Sequence, residues 1–322
     1  MPLSPLLEIA GLCTEFPQKS GVLRAVRGVD LSMEPGETLA LVGESGCGKS
    51  ITAASVLRLV PPPGRITAGS VRFKGIELLG LSEERMREIR GNRIAMVFQD
   101  PMTSLNPVFT IGYQVAEGLR VHRGLDKKQA EQEAAAILSE VGIPAPRERM
   151  KDYPHQLSGG MRQRVMIAMA LALRPELVIA DEPTTALDVT IQAQILELLD
   201  RLMAEHSMGL ILITHNLGIV AERADRTAIM YAGEIVETAP TAELFGNPLH
   251  PYTRGLLASL PESGKPGEKL ATFAGSVPDL KGEFTGCPFR ERCPIGEERC
   301  AKHMIEMKEA GPGHLVRCLK AP

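Results

Sequence analysis

The sequence predicts an α/β fold, because short apolar runs alternate with longer segments of helical periodicity. Two runs, Leu177–Ala180 and Leu210–Ile213, are continuously apolar, as is typical of central strands in a parallel sheet. Ile191–Glu205, between them, has the length and spacing of a helix. A glycine-rich loop, Gly43–Ser50, separates another apolar run from a helical segment. These observations predict a sheet flanked by helices, with a phosphate-binding loop at one strand end.

Composition limits the possible functions of the chain. Its 322 residues are 44% hydrophobic and 23% charged, which is ordinary for a soluble globular protein. A formal net charge of -3, without a basic run interleaved with aromatic residues, leads us to expect no nucleic-acid partner. The longest apolar runs fall short of the roughly 20 residues that cross a bilayer. The N-terminus lacks the features of a secretory signal, so we expect a cytosolic location and reduced cysteines.

The first part of the chain has the pattern of β-structure. From Leu6 to Leu41, short apolar stretches are separated by turn residues, which predicts an antiparallel β-subdomain. Further strands are expected at Gly69–Gly75 and Ile94–Phe98, with a charged helix at Ser82–Arg90 between them.

The glycine-rich loop matches the P-loop pattern G-x-x-x-x-G-K-[ST] at every fixed position. Its backbone N–H groups and the positive end of the following helix are suited to a β-phosphate. Lys49 is expected to reach the β- and γ-phosphates, and the Ser50 hydroxyl to ligate Mg²⁺. The alternative interpretation of this loop is a glycine-rich turn that merely starts a helix. Within the loop, Cys47 is expected to be a small spacer. The predicted ATP contacts are Gly43, Glu44, Ser45, Gly46, Cys47, Gly48, Lys49, Ser50 and Ile51.

The middle of the chain has helical periodicity, whereas the C-terminal part differs in composition. We expect a helical subdomain over about residues 100–165, in which Asp126–Val141 has apolar residues at helical spacing. Beyond Pro240, prolines and glycines recur and apolar runs shorten. We therefore predict a nucleotide-binding domain at 1–240 and a cysteine-rich C-terminal extension at 241–322.

A second nucleotide motif ends the apolar strand that begins at Leu177. Asp181 and Glu182 lie at its carboxyl end, where parallel sheets bind ligands. Asp181 is expected to hold Mg²⁺ through its water shell, and Glu182 to polarise the water that attacks the γ-phosphate. An acidic strand end solvated in a loop is the alternative, and the preceding P-loop argues against it.

Leu157–Arg164 reads Leu-Ser-Gly-Gly-Met-Arg-Gln-Arg and resembles the L-S-G-G-Q signature of ATP-binding cassette (ABC) proteins, with Met161 in place of Gln. Ser158, Gly159 and Gly160 are expected to open a helix whose N–H donors bind a phosphate group. In ABC proteins this element contacts the γ-phosphate on the opposite subunit. The resemblance therefore implies an ABC-ATPase core, of the P-loop NTPase class, with an ATP site shared between two subunits.

The remaining elements of the ABC family follow in the same order, and the resemblance covers roughly residues 6–240. It implies that Gln99 is the Q-loop residue, with a catalytic and an Mg²⁺-binding role. It also implies that His215 is the catalytic switch histidine and that Asp188 of the D-loop contacts nucleotide. Phe16 is the candidate for stacking on adenine, with packing inside the β-subdomain as the alternative.

The C-terminal region resembles that of a smaller group within the ABC family. Asn247–Leu257 strongly resembles the segment that marks the ATPases of dipeptide, oligopeptide and nickel importers. Read from spacing alone, the four cysteines that follow are suited to zinc or an iron–sulfur cluster, with four unconnected structural cysteines as the alternative. The resemblance implies a [4Fe–4S] cluster ligated by Cys287, Cys293, Cys300 and Cys318. Because the tail has few apolar residues, we expect a structural role, with redox sensing as the alternative.

The resemblance also implies a function and partners. It implies an ATPase that powers import of di- or oligopeptides; nickel or another small solute, or a soluble non-transport ABC ATPase, are the alternatives. The implied partners are a second, homologous ATPase subunit in a heterodimer, two membrane permease subunits and an extracytoplasmic substrate-binding protein. Asp100–Val108 leads into the helical region, which in ABC importers receives the coupling helix of the permease. A peripheral location at the cytoplasmic face of the inner membrane follows.

Overall fold

A computed structural model describes residues 4–185, 187–260, 275–281, 285–302 and 304–321. They form two compact units, the first from the described parts of residues 1–79 and 213–322 and the second from the described parts of residues 80–212. Residues 261–274 and 282–284 of the predicted extension lie outside the described residues. Both units contain helices and strands, in agreement with the predicted α/β class. Within the described residues, no helix has the length and apolar character needed to cross a bilayer.

The strands are β1 (Leu7–Gln18), β2 (Gly21–Met33), β3 (Thr38–Val42), β4 (Arg65–Phe73), β5 (Ile76–Glu77), β6 (Ile94–Val97), β7 (Leu177–Asp181), β8 (Gly209–Thr214), β9 (Arg226–Tyr231), β10 (Glu234–Pro240), β11 (Lys308–Gly311) and β12 (His314–Val316). The helices are α1 (Lys49–Val56), α2 (Glu83–Ile89), α3 (Pro101–Ser104), α4 (Ile111–Arg123), α5 (Lys127–Glu140), α6 (Pro146–Arg149), α7 (Gly159–Leu171), α8 (Val189–His206), α9 (Leu217–Arg223), α10 (Thr241–Gly246), α11 (Pro251–Ala258) and α12 (Arg299–Lys302). The last two residues of β8 belong to the first unit.

The first unit contains the predicted antiparallel β-subdomain. Its strands lie in the order β2-β1-β4-β5, and each neighbouring pair is antiparallel. Register shifts interrupt the β1–β2 ladder, where residues 10 and 11 have no partner in the β2 register. Such bulges strengthen the local twist of a sheet.

A second set of strands in the first unit leads to the glycine-rich loop. β3 pairs in parallel with β9. The sequence analysis had placed most of β3 in the antiparallel β-subdomain, which was wrong. β9 pairs with β10, β10 with β12 and β12 with β11, all antiparallel. The C-terminal strands therefore continue the same sheet that contains β3.

The second unit is built largely from helices. α5 spans Lys127–Glu140, with Asp126 as its N-cap and Gln129 completing a capping box. Its apolar face, which includes Ala130, Ala134 and Leu138, is buried, and α4, α5 and α7 pack together. β6 and β7 pair in parallel, which positions the residues that follow each strand at the same edge.

A buried carboxylate, Glu237, connects the C-terminal region to β10. It is fully buried and accepts hydrogen bonds from the backbone N–H groups of Leu249 (2.7 Å) and His250 (2.9 Å) and from His314 Nε2 (2.8 Å). Burial lowers the pKa of His250 to about 3, so its neutral ring caps α11 and accepts from the Tyr252 N–H at 3.1 Å. Glu237 thereby fixes the start of the helix that bears Tyr252.

Replacing Glu237 with Ala is expected to lower the free energy of unfolding by roughly 3 kcal/mol, because three buried donors lose their acceptor. Urea unfolding of purified protein measures this change. Glu222→Ala removes an exposed carboxylate from α9 of the same unit and should change stability little. Equal effects of the two substitutions would contradict the structural role of Glu237.

Candidate nucleotide-binding site

The glycine-rich loop follows β3 and leads into α1. Gly48 is the N-cap of α1 with φ 112°, a conformation that residues with a Cβ rarely adopt. A Cβ at Gly48 would overlap the carbonyl oxygen of Ala25, and one at Gly43 would overlap the carbonyl oxygen of Met230. Neighbouring backbone thus approaches the loop closely at both ends, and both positions require glycine.

Lys49 lies inside this loop. Its side chain is buried, and Nζ donates to the carbonyl oxygens of Gly43 (2.7 Å) and Glu44 (3.1 Å). The next residue, Ser50, is exposed in the first turn of α1, and Ile51 follows it half-buried. A buried ammonium, a hydroxyl and the N-terminal N–H groups of a helix form a donor set that fits the phosphates of a nucleotide with Mg²⁺.

Cys47 is a buried member of the loop. Its side chain is fully buried, and its N–H donates to the Glu44 carbonyl oxygen at 3.2 Å. Burial raises the pKa of the thiol. A protonated, inaccessible thiol fits the expectation that Cys47 is a small spacer.

In the second unit, Asp181 and Glu182 lie at the carboxyl end of β7. Asp181 is buried, and Glu182 has a left-handed backbone with φ 46°, which is unfavourable for a residue with a Cβ. Glu182 Oε2 accepts hydrogen bonds from Gln99 Nε2 at 3.0 Å and from Thr185 Oγ1 at 2.9 Å. The structure therefore brings the predicted Gln99 and Glu182 together and adds Thr185, which the sequence analysis missed.

The signature and D-loop residues also lie in the second unit and begin two helices. Ser158 is the N-cap of α7 and accepts from the Met161 N–H at 3.4 Å. Asp188 is the N-cap of α8 and accepts from the Ile191 N–H at 2.9 Å. A Cβ at Gly160 would lie 2.9 Å from Ile191 Cγ2, so the two helix starts pack closely.

Two further predicted residues belong to the first unit. His215 is exposed and directly follows β8. Phe16 is half-buried on β1, and its ring lies against Gly64 so closely that a Cβ there would overlap it. The ring therefore covers the turn after α1, and its contact with adenine stays a prediction.

Two residues of the C-terminal region contact the P-loop, and the sequence analysis missed both. The Glu44 N–H donates to Tyr252 Oη at 2.9 Å. The Arg292 guanidinium binds both carboxylate oxygens of Glu44, at 2.8 Å and 3.0 Å. The hydrogen bonds to the Glu44 carboxylate raise the pKa of Arg292. Tyr252 lies within the importer-like segment, but no local pattern in the sequence marks Arg292.

The four C-terminal cysteines line one cavity of about 20 Å³, together with apolar residues such as Phe289, Ile295 and Ile305. All four are free thiols: Cys287, Cys293, Cys300 and Cys318. The Cys287 N–H donates to the Cys300 carbonyl oxygen at 2.7 Å. Burial raises the pKa of Cys287 to about 12.

The spacing of the sulfurs bears on the kind of metal centre. Among the described residues, the one group of potential ligand atoms that all lie within 4.8 Å is that of Glu140, Glu205 and His206. The cysteine sulfurs are therefore not spaced as around a single ion such as zinc. The cavity between the four cysteines holds little more than one water molecule.

Two family models and many known proteins match this chain. The family model described as ABC transporter matches residues 26–185, and the model described as oligopeptide/dipeptide transporter, C-terminal region, matches residues 236–300. A peptide import ATP-binding protein of Brucella melitensis is 51% identical over 99% of this chain and 98% of its own length. A peptide ABC transporter ATP-binding protein of Sinorhizobium fredii is 50% identical over 98% of this chain and 95% of its own.

Solved structures of ATP-binding cassettes have the same fold. A dimeric cassette bound to ADP and phosphate superposes with a TM-score of 0.66 and 27% identity, over 73% of this chain and 98% of that one. A Clostridium perfringens subunit of an ABC transporter complex gives a TM-score of 0.63 and 26% identity, over 76% of this chain and 91% of that one. This chain therefore belongs to the ABC transporter ATP-binding family, in the branch that carries the oligopeptide/dipeptide transporter C-terminal region.

Proposed function

We propose that this chain is the ATP-hydrolysing subunit of an ABC importer of di- or oligopeptides. The observation that carries the proposal is the combination of a P-loop cassette with the oligopeptide/dipeptide C-terminal region in one chain. Peptide import ATP-binding proteins are about half identical to it over nearly the whole length, which supports the assignment to peptides.

ATP is assigned to the loop Gly43–Ser50. The Lys49 ammonium offsets the charge of the β- and γ-phosphates, and the backbone N–H groups before α1 orient them. We assign Ser50, Gln99 and Asp181 as the residues that hold Mg²⁺, which supplies neutralisation of the phosphate charge when bound. Phe16 is proposed to stack on adenine.

Hydrolysis is assigned to Glu182 as the general base. Its carboxylate takes a proton from the attacking water while the bond from the γ-phosphorus to ADP breaks, leaving ADP and phosphate. Support comes from the hydrogen bonds of Gln99 and Thr185, which fix the direction of the carboxylate. His215 is proposed to contact the γ-phosphate as the switch residue.

The signature helix is proposed to act on the ATP of a second, homologous subunit. Ser158, Gly159 and Gly160 stand at the N-terminal end of α7, whose dipole favours an anion. Asp188 begins α8 beside them and is proposed to contact the shared site. A related cassette is a dimer with ADP and phosphate, which supports this assembly.

Two membrane permease subunits are the proposed partners on the second unit. Several apolar side chains after Gln99 are unusually exposed for their type: Met102 (62%), Val108 (70%), Phe109 (42%) and Tyr113 (43%). An exposed group of this kind is suited to a protein partner. The chain would then lie at the cytoplasmic face of the inner membrane, and an extracytoplasmic substrate-binding protein would act through the permeases.

The division into domains is part of the proposal. We assign residues 1–240 to the nucleotide-binding domain, with a helical subdomain at about 100–165, and residues 241–322 to the cysteine-rich extension. The extension is proposed to hold a [4Fe–4S] cluster on Cys287, Cys293, Cys300 and Cys318. The proposal rests on the resemblance of this tail to that of peptide importers, and all four thiols line one small cavity.

In the importer reconstituted with both ATPases, both permeases and the binding protein, Glu182→Gln should retain ATP affinity and lose at least about 100-fold in turnover. Glu197→Gln, an exposed carboxylate on α8, is the matched control and should keep full turnover. Near-normal hydrolysis by Glu182→Gln would contradict the assignment of the general base.

Peptide uptake tests the substrate class, with the importer reconstituted in proteoliposomes. ATP-dependent accumulation of labelled di- or oligopeptides is expected, and Glu182→Gln should abolish it. Uptake of a nickel chelate but of no peptide would overturn the peptide assignment and leave the ATPase chemistry intact.

Protein purified without oxygen should contain iron and labile sulfide with broad visible absorption, and Cys300→Ser should lower both by at least half. Cys13→Ser, in β1 of the same unit, is the matched control and should retain them. Stoichiometric zinc, or iron that Cys300→Ser leaves unchanged, would refute the cluster.

A further inference from the structure

Glu44 brings a negative charge into the P-loop, where the phosphates of ATP are expected. It is the one carboxylate of the loop sequence Gly43–Ser50. A carboxylate beside an anionic ligand weakens binding unless a cation offsets it. In this structure the cation is Arg292, 248 positions away in the sequence.

The Arg292–Glu44 pair has the geometry of a strong interaction. Both guanidinium Nη atoms donate to the two carboxylate oxygens, at 2.8 Å and 3.0 Å. The Arg292 side chain is 8% exposed and that of Glu44 is 25% exposed, so water screens the pair only partly. Bidentate, charge-assisted pairs of this kind fix direction as well as distance.

Arg292 is itself held by a buried aromatic cluster of Tyr231, Tyr252 and Phe289. Its Nη1 also donates to Tyr231 Oη at 3.3 Å, and its guanidinium carbon lies 5.7 Å from the centre of that ring. Tyr252 accepts a hydrogen bond from the Glu44 N–H, so the cluster contacts the backbone of Glu44 directly. It contacts the side chain of Glu44 through Arg292.

We propose that Arg292 is a positioning residue for ATP, which acts through Glu44 to hold the P-loop in shape and to offset its carboxylate. This inference rests on the proposed binding of ATP at Gly43–Ser50. Without the guanidinium, Glu44 keeps a partly buried charge beside the phosphates and one anchor of the loop is lost.

Arg292 lies within a segment of the C-terminal region that we call the cysteine segment, residues 287–300. Arg290–Arg292 forms a 3-10 turn between Cys287 and Cys293. The Arg290 N–H donates to the Cys287 carbonyl oxygen at 3.1 Å, and the Cys293 N–H donates to the Arg290 carbonyl oxygen at 3.2 Å. The turn that bears Arg292 is therefore hydrogen-bonded to the backbone of Cys287 on one side and of Cys293 on the other.

A double-mutant cycle on the purified full-length chain tests the proposal, with Kd measured for a fluorescent ATP analogue. Arg292→Ala should raise Kd about tenfold, and Arg292→Lys less, because Lys keeps the charge without the planar fork. In a Glu44→Gln background, Arg292→Ala should change Kd by less than about twofold. Arg299→Ala, an exposed arginine of the same tail paired with Glu297, is the matched control and should bind like wild type.

The outcomes separate this inference from the proposed function. Wild-type protein that binds no ATP analogue would contradict the function itself. Normal binding by Arg292→Ala, or an equal tenfold loss in the Glu44→Gln background, would overturn the role of Arg292. If thermal unfolding shows that Arg292→Ala does not fold, the same cycle with Arg292→Lys and Glu44→Gln decides, and full additivity would then refute the coupling.

Discussion

The P-loop depends on close packing of backbone around its two glycines. Carbonyl oxygens of Ala25 in β2 and Met230 in β9 leave no space for a Cβ at Gly48 and Gly43. Those strands belong to the two sheets of the first unit, so the loop lies where both sheets meet α1. The shape of the phosphate site is therefore a property of the whole first unit rather than of an eight-residue motif.

The C-terminal region completes this packing. β12 extends the sheet through β10, and buried Glu237 holds the start of α11. That helix carries Tyr252 to the Glu44 backbone, and the cysteine segment carries Arg292 to the Glu44 side chain. The C-terminal region thus contacts the glycine-rich loop directly, at the backbone and the side chain of Glu44.

Local patterns in the sequence predicted the local features of the structure. The P-loop, helix α5 and the antiparallel β-subdomain each follow from residues close together in the chain. Pairing of β3 with β9 was harder to predict, because parallel partners are far apart in sequence. The Arg292–Glu44 pair leaves no periodic signal at all, since it joins two side chains 248 positions apart. Thr185 was missed because a lone hydroxyl beside an acidic pair is uninformative until Glu182 Oε2 is seen to accept from it.

The most direct measurement is a structure of the assembled importer with the Glu182→Gln substitution and bound ATP. We predict that the β- and γ-phosphates lie on Gly43–Ser50 while both Arg292 Nη atoms remain within hydrogen-bond distance of the Glu44 carboxylate. Phosphates bound elsewhere, or an Arg292 side chain separated from Glu44 when ATP is bound, would contradict it.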